Sequence, residues 1–312
     1  MDIKYSLLSG LVKLISRLPL RMLYVLSDGM YFLVYHIVRY RRRVVRDNLV
    51  KSFPEKTHDE ILRTEKEFYS FFCDYIVETI KLSSMSSEEM KRRMRIIGVD
   101  TMVHDLETEG KLFGFIYLAH YGNWEWVSSL AEWIHDEAPD YIAGQIYRPL
   151  RNKTFNKLFL QLRGRFGAVS IPMKETLRFV VGQRQAGRHA IIGFISDQGP
   201  WWSSIHHWTQ FLNRKTAVFT GTERIGRRVG ALFYYAHVTR IRRGYYECRI
   251  ARMIDDIGNY PDCGVTDRYM SILEETIKKQ PSIWLWTHKR WKRTYEDYLK
   301  RVQSGKHEPE SC

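Results

Sequence analysis

Cysteine is scarce and scattered in this chain of 312 residues. Cys73, Cys248, Cys263 and Cys312 form no CxxC pair, and no signal peptide with a small-residue cleavage site precedes them. Reduced thiols acting as small buried hydrophobes, in a cytosol-facing protein, are therefore expected. The chain also lacks HExxH and any Cys/His cluster, and His206-His207 has no spaced carboxylate partner, so no metal site is expected. No GxSxG is present, which argues against a serine-hydrolase nucleophile elbow. There is no internal repeat and no low-complexity segment. Acidic residues are in deficit: 35 Asp and Glu against 49 Lys and Arg leave a formal charge of +14. That balance favours an anionic partner, whether phospholipid headgroups, a phosphorylated substrate, an acidic carrier or nucleic acid.

With 44% hydrophobic and 14% aromatic residues, disorder is excluded, and the length suits one large domain or two ordinary ones. The front end is basic and hydrophobic. Leu8, Leu11, Ile15 and Leu18 recur at helical spacing, while Lys13, Arg17 and Arg21 line another face. Pro19 marks the start of a second helix, and residues 22–38 are mostly apolar, followed at once by Arg39, Arg41, Arg42 and Arg43. A span is disfavoured. Seventeen residues reach roughly 25 Å against a hydrocarbon core of ~30 Å, and Asp28 inside would cost about 2.5–3.5 kcal/mol. Helices lying in the interface, with arginines on lipid phosphates, fit better than a span or a purely soluble cap.

Residues 42–53 and 58–82 read as helices, and Ser86-Ser87-Glu88-Glu89 carries N-cap chemistry for another. From about Ile96, apolar runs at 112–118, 141–146, 168–171, 189–195, 231–239 and 246–251 alternate with helical patterns near 123–136, 150–164, 173–185 and 216–229. This alternation predicts an α/β fold with a largely parallel central sheet flanked by helices, closed by helices at 262–280 and 288–302. The expected organisation is membrane-associating helices at 1–40, a helical subregion at 41–95, an α/β core at 96–302 and a flexible tail at 303–312.

Parallel sheets carry ligands at the carboxyl ends of their strands, and the chemistry-bearing residues fall there. His120 follows the run 112–118, and Glu125 stands five positions on in the next helix's first turn, where it can turn back to hold the imidazole as a general base. Asp197 and Gln198 follow another run, as does Arg148, an arginine suited to phosphate or a developing oxyanion. Trp124, Trp126, Trp201, Trp202 and Trp208 could line an apolar ligand groove, meet the bilayer interface or simply build core.

These blocks resemble the late acyltransferases of bacterial lipid A biosynthesis, the lauroyl/myristoyl acyltransferase family within the lysophospholipid acyltransferase superfamily. The similarity runs from the basic front end to about residue 300. It rests on the H-x4-(D/E) box at His120 and Glu125, Ile146-Tyr147-Arg148-Pro149, Asp197-Gln198-Gly199, the segment 211–220 from Phe211, and PSIWLWTHKRW at 281–291. Arg46-Asp47-Asn48-Leu49 with Phe53-Pro54 also matches the family's beginning. The resemblance implies transfer of a fatty acyl group from a thioester, usually on acyl carrier protein, to a hydroxyl of a lipid A precursor. His120 would be the base, Glu125 its orienting carboxylate and Arg148 the ligand of phosphate or oxyanion. Asp197 and Gln198 would orient the site, and Trp124, Trp126 and Phe211 would line the acyl groove. No metal and no cofactor beyond an acyl carrier protein or coenzyme A thioester is expected. The implied partners are acyl carrier protein, the lipid A precursor and anionic membrane lipids, at the cytoplasmic face of the bacterial inner membrane. Nucleic acid is not expected, because the arginines crowd beside the hydrophobic helix rather than among stacking aromatics. An acyl-CoA enzyme acting on another glycolipid or aminolipid, and more remotely a non-catalytic basic binding protein, are the rival readings.

Overall fold

The computed structural model describes residues 3–305; Cys312 and most of the expected tail lie outside them. The chain opens with α1 (Ile3–Ser16) and α2 (Leu20–Tyr31), the latter running into a π-helical turn at Phe32–Ile37. Pro19 caps α2 from outside, where its fixed φ starts the helix without costing a bond. Then come α3 (Arg42–Ser52), α4 (His58–Lys81) and α5 (Ser87–Arg93). The 24-residue α4 starts at a reciprocal capping box between Thr57 and Glu60, and Ser86 caps α5. At the far end of α4 the buried Lys81 ammonium donates to the carbonyls of Ser16 (2.9 Å) and Leu18 (3.1 Å), satisfying the C-terminus of α1. No helix among the described residues is long and apolar enough to cross a membrane. Asp28 is exposed and pairs with Arg243.

The rest alternates as expected: β1 (Met94–Ile97), α6 (Val99–Thr108), β2 (Phe113–Leu118), α7 (Leu130–Glu137), β3 (Ile142–Tyr147), α8 (Lys153–Arg163), β4 (Val169–Pro172), α9 (Thr176–Gln185) and β5 (Ala190–Ile195). Next are β6 (His207–Phe211), β7 (Arg214–Val218), α10 (Gly221–Val229), β8 (Leu232–Arg242), β9 (Tyr245–Arg252), α11 (Gly264–Lys279) and α12 (Tyr295–Gln303). One seven-stranded sheet has the order β1-β9-β8-β2-β5-β3-β4, and every neighbouring pair is parallel except β8 with β9. The fold is thus mixed α/β around a mostly parallel sheet. All six residues of the central β2 are buried, which its unbroken apolar run required.

Two departures have local causes. β6 and β7 form a separate hairpin where helix was expected from 216, so α10 begins only at Gly221. Leu212 and Asn213 both take positive φ at its two-residue turn, and Leu-Asn lacks the glycine that would have announced it. The closing helix starts at Tyr295 rather than 288, because residues 284–291 are drawn into side-chain bonds with the sheet ends and β7. Cys73 and Cys248 are free and buried, as expected.

Glu78 on α4 is buried beneath the loop that follows β2. Its carboxylate accepts from Tyr24 (2.9 Å), Asn123 (2.7 Å) and Tyr246 (2.8 Å), and its carbonyl accepts from the Trp126 indole (3.0 Å). Burial pushes its carboxyl up to about 7, against the lowering effect of the tyrosine hydroxyls. The folded chain then keeps this proton through a window in which the unfolded chain has lost it. Its contribution to stability is accordingly present below about 4.5 and lost as pH rises to about 7. The melting temperature of wild type should fall more steeply between pH 5 and 8 than that of Glu78→Gln; parallel curves would assign the slope to other groups.

Candidate active site

The site follows from strand register. Leu118 of β2 pairs with Ile195 of β5 in parallel, so two residues further on His120 and Asp197 emerge side by side at the carboxyl edge. β3 lies on the other side of β5 and ends at Tyr147, which delivers Arg148 to the same edge. The turn after β2 needs Gly122: its φ is +60°, and a Cβ there would meet Val238 Cγ1 at 2.6 Å. The closing segment crosses this turn, Gly122 N donating to the Ile283 carbonyl (3.0 Å) and Leu285 N to that of His120 (3.1 Å).

The carboxylate on the imidazole is Asp197. Its Oδ1 lies 2.6 Å from His120 Nδ1, and its Oδ2 accepts from the Trp284 indole at 2.9 Å. Burial, the largest influence on this carboxyl, would raise it. The adjacent His120 and the bonds from His120 and Trp284 outweigh burial and hold it below the usual carboxylate range. With Nδ1 committed to Asp197, the lone pair of Nε2 is the basic position, and the Gln198 amide reaches it at 3.2 Å. The imidazole keeps 21% of its side-chain surface exposed while Asp197 is buried. It is therefore reachable, oriented and paired with a buried anion.

Glu125 does not hold that ring. It is buried, and both oxygens are taken by Arg163 of α8, from Nε at 2.8 Å and Nη2 at 2.5 Å. The residues from 126 begin as a 3-10 turn, and a buried carboxylate needs a counter-charge, which the fork of Arg163 supplies in bidentate form. Glu125 touches the His120 ring only at second hand. The His120 ring meets Trp124 edge to face (centroids 5.2 Å), and Trp124 stacks on Tyr75 (4.1 Å), whose hydroxyl interacts with Glu125.

Of the expected groove aromatics, only Trp124 lies at His120. Trp126 is fully buried against Tyr246 and bonded to α4, and Phe211 is fully buried between Trp284 and Trp291, so neither faces an open groove. A groove of about 630 Å³ runs between α1 and α8, lined by Lys13, Ser83, Leu158, Leu160, Gln161, Leu162, Gly164 and Arg165, and does not include His120. Arg148 is exposed and stands 5.5 Å from the Trp201 ring. In the closing segment, burial lowers the His288 imidazole to about 4 and the Arg290 guanidinium to about 10. Arg290 donates to the Ala217 carbonyl at 2.6 Å. Sequence reasoning assigned no role to Trp284, although it stood in a recognised block, and it missed Arg163, which no local spacing ties to Glu125.

A histidine–carboxylate pair thus stands at the carboxyl edge of a mostly parallel sheet, with an arginine at the end of a neighbouring strand, an arrangement able to move a proton. The chain belongs to the bacterial lipid A biosynthesis acyltransferase family, whose sequence model it matches over residues 3–293. No curated protein matches it.

If Asp197 orients the base and Glu125 braces the fold, the two isosteric amides separate. Asp197→Asn should lower turnover by ~10²–10⁴ with a nearly unchanged melting temperature. Glu125→Gln, by leaving Arg163 uncompensated, should cost roughly 3 kcal/mol of stability in denaturant titrations. The opposite pattern would return the ring to Glu125.

Proposed function

We propose that this protein transfers a fatty acyl group from a thioester, carried by acyl carrier protein, to a hydroxyl of a lipid A precursor. The observation that carries this reading is the His120–Asp197 contact at the exposed sheet edge, within the matched family. An alcohol is a poor nucleophile near neutral pH, so the proton must leave as the carbonyl is attacked. His120 Nε2 takes it, and the alkoxide oxygen adds to the thioester carbon. Asp197 stabilises the imidazolium. Collapse of the tetrahedral intermediate breaks the C–S bond, and the imidazolium returns its proton to the departing thiolate. No covalent acyl-enzyme, metal or further cofactor enters. Gln198 holds the base until the acceptor hydroxyl replaces it, and Arg148 binds the acceptor phosphate or the oxyanion.

The front end is read as an interfacial anchor at the cytoplasmic face of the bacterial inner membrane. Leu7 (70% exposed), Leu11 and Leu14 form one face of α1, and Met22, Val25 (70%) and Leu26 are exposed on α2. Phe32, Leu33, Ile37 and Val38 continue the apolar surface, with Arg17, Arg21, Arg39 and Arg43 exposed around it. Such a surface fits an anionic bilayer. Arg42 and Arg46, by contrast, turn inward to Glu65.

His120→Ala should abolish transfer by at least ~10² in a thioester assay while vesicle binding and melting temperature persist; a turnover equal to wild type would refute His120 as the base, and no transfer by wild type itself would leave a binding protein. Deleting the front end is a poor test of anchoring, because Leu23, Ser27 and Tyr35 are buried there. Leu7→Ser, Leu11→Ser and Leu14→Ser combined should instead cut co-sedimentation with anionic vesicles by about tenfold or more. Undiminished sedimentation would overturn the interfacial reading.

A further inference from the structure

Past the strand end that carries Asp197 lies a cluster of cations with no carboxylate partner among the described residues. Trp201 leaves the loop after β5 four residues beyond Asp197 and is 47% exposed. Three cations converge on its indole: Arg148 at 5.5 Å, Lys292 at 5.4 Å and Arg293 at 4.7 Å from the ring centroid. Arg148 comes from the end of β3 and the other two from the closing segment, so the fold gathers charge from positions more than 140 apart in sequence. None of the three makes an ion pair with a carboxylate among the described residues. Arg293 Nε is buried without a hydrogen-bond partner. Burial first, and then the neighbouring cations, lower both Lys292 and Arg293, with Arg148 acting on each.

Like charges held together in this way repel, and the indole face offsets only part of that. The arrangement is suited to a ligand that brings the missing charge. Two guanidinium forks and an ammonium gathered on one indole suit the tetrahedral oxygens of a phosphate group better than a planar carboxylate.

We propose that Arg148, Lys292 and Arg293, gathered on Trp201, form the receiving site for a phosphate group of a substrate, held beside the strand end that carries Asp197. This places Arg148 on phosphate rather than on the oxyanion and deepens the acyl-transfer reading on which its role rests. The phosphate could belong to the lipid acceptor or to the phosphodiester arm of the thioester donor, and kinetics separates the two.

Binding is tested on the full chain by isothermal titration calorimetry with inorganic pyrophosphate. Wild type should bind it; Lys292→Gln and Arg293→Gln should each weaken binding by about tenfold, and Trp201→Leu by several-fold. Lys66→Gln, an exposed cation on α4 far from the cluster in sequence, serves as control for general charge and should change nothing. In transfer assays the cluster variants should raise KM more than they lower kcat. A rise in acceptor KM puts the phosphate on the lipid, and a rise in donor KM puts it on the carrier arm. Pyrophosphate affinity that drops no further in the cluster variants than in Lys66→Gln would overturn the site. His120→Ala should bind pyrophosphate normally. Hence a wild type that binds but transfers nothing would refute the reaction and leave the phosphate site standing.

Discussion

The contact between His120 and Asp197 is the constraint on which the site depends. It is made by register: parallel pairing of β2 with β5 brings two residues, 77 apart in sequence, to the same edge within 2.6 Å. Ionising a buried carboxylate is costly, and the donors from His120 and Trp284 offset that cost. The closing tryptophan segment is therefore part of the support of this imidazole–carboxylate pair. It bridges Tyr121, bonds to the backbone of His120 and Gly122, and holds the far oxygen of Asp197.

Two carboxylates near the imidazole divide the work. Asp197 faces the ring directly, while Glu125 is pulled to Arg163 and fixes the turn from below through Tyr75 and Trp124. Glu78 completes that support, joining α4 to Asn123 and Trp126 within the same turn. Since Tyr24 of α2 also donates to Glu78, the apolar front end and the turn that carries His120 share one helix as scaffold.

Charge is sorted by the fold more finely than by sequence. Within residues 39–46, Arg42 and Arg46 neutralise the buried Glu65 and Arg41 donates to the Thr287 carbonyl, while Arg39 and Arg43 remain exposed. Arg148, Lys292 and Arg293 meet on one indole although nothing in their spacing links them. A net charge of +14 announces an anionic partner but cannot say which cations are already neutralised.

By itself the sequence determined the class of fold, six of the seven strands of the main sheet, and the positions of His120, Arg148 and Asp197 at strand ends. Apolar runs and their turn residues are local signals, and a parallel sheet exposes its carboxyl edge whatever the side chains. It did not reveal β1, with only four residues, or the hairpin at Leu212-Asn213, whose turn lacks glycine. Only the tertiary structure decided which carboxylate serves the imidazole. Five residues of separation make Glu125 a plausible neighbour, but side-chain direction and the demand of a buried charge for a fork-shaped partner sent it to Arg163, and strand pairing supplied Asp197 instead. Partner choice among buried charges is a non-local energy balance, and no spacing in the chain encodes it.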